Sequence, residues 1–135
     1  MKILTTLKKP DLGLLIIRIV LGVTFTIYGI QKLFGGVGTL EYLGSTLKIF
    51  GITVFPLFFG VLAAVGEAIG GLLLLIGYQF RLAALLLFFI MIVAFFSQYE
   101  SLASFLKNGW SLHLMAVFLG LAFIGSGKYS LDKDS

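Results

Sequence analysis

The residue with the clearest chemical potential is Glu67, the one acid in the apolar stretch Pro56–Gly77. A helix of about 20 residues, with a rise of about 1.5 Å each, is long enough to cross a bilayer. A carboxylate inside such a helix costs several kcal/mol unless it is paired, protonated or in contact with water. Glu67 is therefore a candidate for binding a ligand or for transferring a proton.

A second charged candidate is Arg18, which lies inside the apolar run Leu12–Leu33. Intervals of three or four residues put a stripe of small and polar residues on one face of this helix, namely Arg18, Gly22, Thr26, Gly29 and Lys32. The later stretch carries a similar stripe of Gly60, Ala64, Glu67 and Gly71. Small residues at this spacing allow membrane helices to approach closely. The pattern predicts that the two stripes face each other.

Counting residues along the two helices predicts an ion pair between Arg18 and Glu67. Arg18 lies about 9 Å and Glu67 about 15 Å from the same end of the bundle, if each residue rises about 1.5 Å. An arginine side chain spans that difference and can bind a carboxylate through two donors. Such a pair either only fixes the packing of the two helices or forms a ligand or proton site. Both interpretations stay open.

Polar side chains also gather at the opposite end of the predicted bundle, namely Tyr28, Gln31, Lys32 and His113. Lysine at a helix end commonly extends to the lipid headgroups, and a histidine there could be a hydrogen-bonded packing residue. Their convergence nevertheless predicts a second site. The candidate ligand or proton residues are thus Arg18, Glu67, Lys32, Tyr28, Gln31 and His113. The sequence predicts neither a catalytic residue nor a metal site.

Composition limits the class of protein. Of the 135 residues, 59% are hydrophobic and 12% are charged, against roughly 45–50% and 25% in soluble domains, and the mean hydropathy is +1.10. A single integral membrane domain, residues 1–135, is predicted. The formal charge of +4 comes from basic residues at helix ends rather than in a stripe, which argues against binding of nucleic acid.

Residue counts also restrict the redox chemistry that the chain can perform. Cysteine is absent and His113 is the single histidine. The chain therefore has no disulfide, no thiol chemistry and no covalent haem attachment of its own, and one copy cannot supply two imidazoles to a haem or a metal. No intrinsic cofactor is expected, and a self-contained enzyme is not favoured.

The elements that must position these residues are four apolar runs. They predict membrane spans at about 12–33, 54–77, 82–98 and 109–125, and hence an all-α integral membrane four-helix bundle. The turn between the second and third spans is long enough only for an antiparallel hairpin. The polar tail 125–135 is expected to be loosely ordered.

The segment between the first two spans has a different pattern. Apolar residues recur there at helical spacing, at Leu40, Leu43, Leu47 and Phe50. They predict a short interfacial helix that ends at Gly51. An irregular loop is the alternative.

The distribution of basic residues predicts the orientation. With four spans, both termini share one side, which carries Lys2, Lys8, Lys9, Arg81, Lys128 and Lys133. The other side carries Lys32, Lys48 and Lys107. This difference favours cytoplasmic termini. The first apolar run is long and lacks a small-residue cleavage pattern, so a retained span is predicted rather than a signal peptide.

The order of motifs resembles the DoxX family of small bacterial membrane proteins. The resemblance rests on R-x-x-x-G at Arg18–Gly22, Y-G-x-x-K-L at Tyr28–Leu33, a glycine-rich loop, and G-E-x-x-G-G-L-L-L-x-x-G at Gly66–Gly77, followed by Arg81. It covers about residues 12–125. It implies a four-helix bundle in the bacterial cytoplasmic (inner) membrane. It also implies a loose connection to redox biology, since the family is similar to the small subunit of a thiosulfate:quinone oxidoreductase and some members are linked to oxidative-stress complexes.

Three functions follow as hypotheses. The leading one is an accessory or quinone-associated subunit of an oxidoreductase system, in which quinone is the candidate ligand and electrons come from a partner subunit. The second is a small transporter that works as a homo-oligomer, because one four-helix bundle encloses little space. The third is a structural assembly protein in which a buried Arg–Glu pair only holds helices together. In each case the first partner is the lipid bilayer.

Overall fold

The computed structural model describes residues 9–98 and 102–132, and every regular element in those two ranges is helical. The helices are α1 (Pro10–Leu33), α2 (Val37–Ser45), α3 (Pro56–Ile76), α4 (Phe80–Gln98), α5 (Leu102–Asn108) and α6 (Trp110–Ile124), with a 3₁₀ turn at Thr46–Phe50. Three of them, α1, α3 and α4, are long and apolar enough to span a membrane, and α6 is a shorter apolar helix. The predicted all-α membrane bundle is confirmed, and its four main helices end within two residues of the predicted spans.

Local sequence explains where these helices begin and end. Pro10 occupies the first turn of α1, where its missing N–H is not needed, and Asp11 lies in the same turn. Pro56 has the equivalent place in α3. The 3₁₀ turn ends at Gly51, whose φ of +80° is readily adopted only by glycine. The short helix predicted between the first two spans is therefore present as α2, which ends at Ser45, and the 3₁₀ turn continues it to Gly51, the predicted end.

The four main helices pack in the order α1, α3, α4, α6. The two small-residue stripes face each other, as predicted, because glycine lets the backbones of α1 and α3 touch. A Cβ atom on Gly22 would lie 2.8 Å from the carbonyl oxygen of Gly71. By contrast, α1 and α6 meet through large side chains, with the rings of Phe25 and Phe118 5.1 Å apart. These two helices are consequently held further apart than α1 and α3.

The short α2 helix packs on the first half of α3. Leu40 and Gly44 are its buried residues, and Gly44 is in backbone contact with Pro56. The 3₁₀ turn that follows α2 contacts α4. The segment therefore forms one side of a space between α3 and α4.

The prediction of a loosely ordered tail is wrong for residues 125–132, while residues 133–135 lie outside the described part of the chain. Asp132 accepts hydrogen bonds from the backbone N–H groups of Gln79 (2.8 Å) and Phe80 (2.9 Å) at the start of α4. The backbone N–H of Lys128 donates to Asp11 at 3.1 Å. The tail is ordered because it satisfies helix-end groups that otherwise have no partner.

Candidate functional site: two cavities that meet at a buried ion pair

The central feature of the candidate site is an ion pair between Lys32 of α1 and Glu67 of α3. Lys32 Nζ lies 2.6 Å from Glu67 Oε2. Glu67 is 2% exposed, whereas the Lys32 side chain is 35% exposed. Within residues 9–98 and 102–132, the second carboxylate oxygen, Oε1, accepts no hydrogen bond from the protein. The pair therefore offers a buried acceptor and, on Lys32, further N–H donors.

The predicted pair of Arg18 and Glu67 is wrong, because the register of the two helices differs from the assumed one. The prediction placed Gly77 level with Leu12. In the structure Gly77 lies beside Arg18, since a Cβ atom there would be 2.6 Å from the guanidinium. Glu67 precedes Gly77 by about 15 Å along α3, which puts it beyond the reach of Arg18 and close to Lys32.

Arg18 instead binds backbone carbonyl groups. Its guanidinium donates to Leu74 (3.0 Å) and Leu75 (2.9 Å) in the last turns of α3, and to Ser126 (3.3 Å) and Tyr129 (2.6 Å) in the tail. Arg18 is 1% exposed. Carbonyls at a helix C-terminus lack intrahelical partners and carry partial negative charge. Arg18 therefore ties the tail to α3 and lies outside the candidate site.

The other five predicted residues line one cavity of about 940 Å³, here called the polar cavity. It lies between the end of α1 and the start of α6, which the large rings hold apart. Its lining consists of Tyr28, Gln31, Lys32, Glu67, Leu106, Lys107, Gly109, Trp110, His113 and Leu114. The structure thus joins Glu67 to the four residues that the sequence assigned to a separate site, namely Tyr28, Gln31, Lys32 and His113.

Trp110 also lines the polar cavity, although it was not among the candidate residues predicted from the sequence. It is 48% exposed and precedes His113 by three residues, so the two side chains lie on the same face of α6. That spacing was visible in the sequence. A tryptophan near the end of a span is, however, also typical of an interfacial anchor.

A second cavity of about 430 Å³, here called the apolar cavity, lies between α2 with its 3₁₀ turn on one side and α3 and α4 on the other. Lys32, Glu67 and Trp110 line both cavities. The remaining wall is mainly aliphatic and aromatic, with Leu43, Leu47, Phe59, Leu62, Ala63, Leu86, Phe89, Ile90, Met91, Val93 and Ala94. The ion pair therefore stands where a polar and an apolar space meet, an arrangement suited to an amphiphilic molecule.

Comparison with known proteins is consistent with a membrane protein of this kind. The chain is 33% identical to "Inner membrane protein YqjF" of Escherichia coli (strain K12), with 93% of this chain and 94% of the relative covered. It is 29% identical to "Putative oxidoreductase CatD" of Bacillus subtilis (strain 168), with 93% and 88% covered. It is also 29% identical to "Inner membrane protein YphA" of E. coli, with 96% and 99% covered.

No solved structure matches the chain. The family model named DoxX matches residues 13–100, which is more than half of the chain and includes α1 to α4 with Lys32 and Glu67. The C-terminal part, from α5 to the tail, follows that match. The chain belongs to the DoxX family.

Proposed function

We propose that the chain is a quinone-associated membrane subunit of an oxidoreductase system, and that the quinone ring binds at Lys32 and Glu67. The observation that carries the proposal is the position of this ion pair at the junction of the polar and apolar cavities. A membrane quinone has the matching form, with a polar ring and an apolar tail. The name of the B. subtilis relative, "Putative oxidoreductase CatD", supports a redox connection.

The polar groups of the site match both oxidation states of such a ligand. A quinone carbonyl accepts hydrogen bonds, and Lys32 Nζ retains donors beyond the one directed at Glu67. The reduced form carries hydroxyl groups, and Oε1 of Glu67 is an available acceptor for one of them. Hydrogen bonds to charged groups are stronger than neutral ones. The pair can therefore hold either form without a change in its own net charge.

Electron transfer would require a partner subunit. Reduction of a quinone takes two electrons and two protons, and the chain has no cysteine and a single histidine with which to hold a redox centre of its own. We assign the electrons to the partner and the binding of the quinone to this chain. Glu67, which faces the polar cavity, is positioned to exchange a proton with the bound ring.

Structural assembly is the second candidate function, because Lys32 and Glu67 also join α1 to α3. A buried ion pair can act only to fix helix packing. Permeation receives less support, since Phe25, Leu87 and Phe118 are fully buried on the Arg18 side of Glu67 and fill the space that a continuous path would need.

Trp110 provides a direct test, because it is the single tryptophan of the chain and lines both cavities. Quinones quench tryptophan fluorescence at short range. We expect saturable quenching of the purified protein by a short-chain quinone. Lys32→Met should raise the Kd about tenfold, the effect of losing one charge-assisted hydrogen bond. The matched control Lys48→Met changes an exposed lysine outside both cavities and should leave the Kd unchanged. Quenching that increases linearly without saturation, or equally in both variants, contradicts quinone binding at this pair.

A further inference from the structure

We propose that the apolar cavity is the binding site for a single hydrocarbon chain, of the prenyl or alkyl type, attached to a neutral polar head at Lys32 and Glu67. This inference rests on the proposed function for the identity of the head. It adds the place where the tail lies, the number of chains, and the residues that admit them.

The wall of the cavity is suited to hydrocarbon along its length. Three lining residues carry a hydroxyl group, Tyr42, Thr46 and Ser97; Tyr42 is 65% exposed, and the other two already donate within the protein. Thr46 Oγ1 donates to the carbonyl of Leu43 at 2.6 Å, and Ser97 Oγ to that of Ala94 at 3.0 Å. Among the described residues, the charged groups of the lining are Lys32 and Glu67 alone, so the strongest hydrogen-bonding groups lie together at the ion pair. This separation of charged and apolar groups orients an amphiphile with its head at the ion pair and its chain between α3 and α4.

The volume of the cavity is sufficient for one chain. At about 30 Å³ for a group the size of a water molecule or a methylene, 430 Å³ holds roughly 14 such groups. That is close to three prenyl units or one medium-length alkyl chain. The two acyl chains of a phospholipid would need about twice this space. Several wall residues, among them Leu62 (55%) and Phe89 (61%), are also exposed, so a longer chain could continue into the surrounding lipid.

The charge of the site indicates a neutral head. Lys32 is paired with Glu67, so this pair has no net charge to offer a phosphate, and Lys107 lines the polar cavity but not the apolar one. An anionic headgroup that bound Lys32 would have to displace Glu67 and leave a buried carboxylate unpaired, which is strongly unfavourable. A neutral head that only forms hydrogen bonds keeps the ion pair intact. A quinone or a prenyl alcohol meets this condition and a phospholipid does not.

Small residues on facing helices keep the cavity open. Ala63 lies on the α3 wall and Ala94 on the α4 wall, and both are partly buried. A phenylalanine at either position would occupy the space of several methylenes, and Ala94 lies on a different helix from both members of the ion pair. The matched control is Ala116→Phe, because Ala116 is exposed on α6 and lines neither cavity.

The experiment measures Trp110 quenching in mild detergent with two quinones that share one head, one without a tail and one with a decyl tail. We expect the tail to lower the Kd at least about tenfold in the native sequence and in Ala116→Phe. Ala94→Phe should abolish that gain while the Kd of the tail-less quinone stays within about twofold. Ala63→Phe repeats the test from the other wall, should Ala94→Phe fail to fold. A decyl advantage that persists in both filled variants overturns the inference.

A third probe, a brominated undecyl alcohol, separates this inference from the proposed function. If neither quinone quenches Trp110 saturably, the quinone proposal fails. Saturable quenching by the bromo-alcohol that is lost in Ala94→Phe would then still support a single-chain site. Absence of that quenching overturns the site as well. Saturable quenching by a brominated two-chain phospholipid, again lost in Ala94→Phe, would overturn the assignment to one chain and a neutral head.

Discussion

The attachment of the tail by Arg18 can be tested by replacing the arginine with leucine. In Arg18→Leu, two carbonyls at the end of α3 and two in the tail lose their donor. Hydrogen bonds from charged donors contribute about 1.5–3 kcal/mol each in soluble proteins, but polar contacts within membranes average only about 0.6 kcal/mol. Removal of the buried charge also removes its desolvation penalty. Four weakened contacts therefore predict a loss of about 2 kcal/mol.

Two measurements check this prediction. The first is the free energy of unfolding in mixed detergent micelles for the native chain, Arg18→Leu and Arg18→Lys. Arg18→Lys should be intermediate, because an ammonium group cannot reach all four carbonyls at once. The second uses the absence of cysteine. A single cysteine in place of Ser126, which is 1% exposed, should react slowly with a maleimide in the native background and much faster with Arg18→Leu.

A truncation distinguishes the tail contacts from a general effect of the mutation. In a chain that ends before residue 125, Arg18 loses two of its four acceptors. Arg18→Leu should then cost about half as much as in the full chain. An equal cost in both backgrounds, or a Ser126→Cys label that reacts equally slowly with and without Arg18, would refute the role assigned to this residue.

Three further outcomes are expected. Lys32→Met leaves Glu67 buried without its partner and should lower the free energy of unfolding in detergent by about 1–3 kcal/mol. Adding Glu67→Leu to this variant should recover part of the loss. If the effects of the two substitutions simply add, the contact between Lys32 and Glu67 is contradicted. Gly22→Val should separate α1 from α3 and lower the unfolding midpoint, since its Cβ would lie 2.8 Å from the backbone of Gly71. The control Gly13→Ala should be neutral or stabilising, because a Cβ atom there has no neighbour within 4 Å. Single cysteines at Ser135 and Gly38 should react with an impermeant reagent from opposite sides of the membrane, Ser135 from the cytoplasm, and labelling from one side alone would disprove the predicted orientation.

The extent of each helix was predictable because it depends on local sequence. Apolar runs, the prolines of the first turns and Gly51 mark helix boundaries without reference to the rest of the chain. The contact between the two small-residue stripes was also predictable, because glycine on both faces leaves little alternative. The grouping of Tyr28, Gln31, Lys32 and His113 at one end followed from the positions of these residues in their spans.

The register between α1 and α3 was not predictable by counting from predicted span ends. The prediction placed Leu12 opposite Gly77, whereas Arg18 lies there, six residues further along α1. This offset moves the residue that faces Glu67 by about 9 Å. It is large enough that Arg18 was predicted as the partner of Glu67 in place of Lys32. The true partners of Arg18 are backbone carbonyls, which leave no signal in a sequence. The apolar cavity depends on how α2 and its 3₁₀ turn rest against α3 and α4, a tertiary property that no single segment encodes.

Lys32 and Glu67 are proposed to hold the head of a quinone. Native mass spectrometry of the intact chain, extracted in mild detergent, tests it most directly because it reports ligands that the protein retains. We expect a bound quinone on the native chain and on Lys48→Met, and its loss from Lys32→Met with the protein still folded. Equal retention by both variants, or no quinone on any of them after extraction from quinone-containing membranes, would contradict the claim.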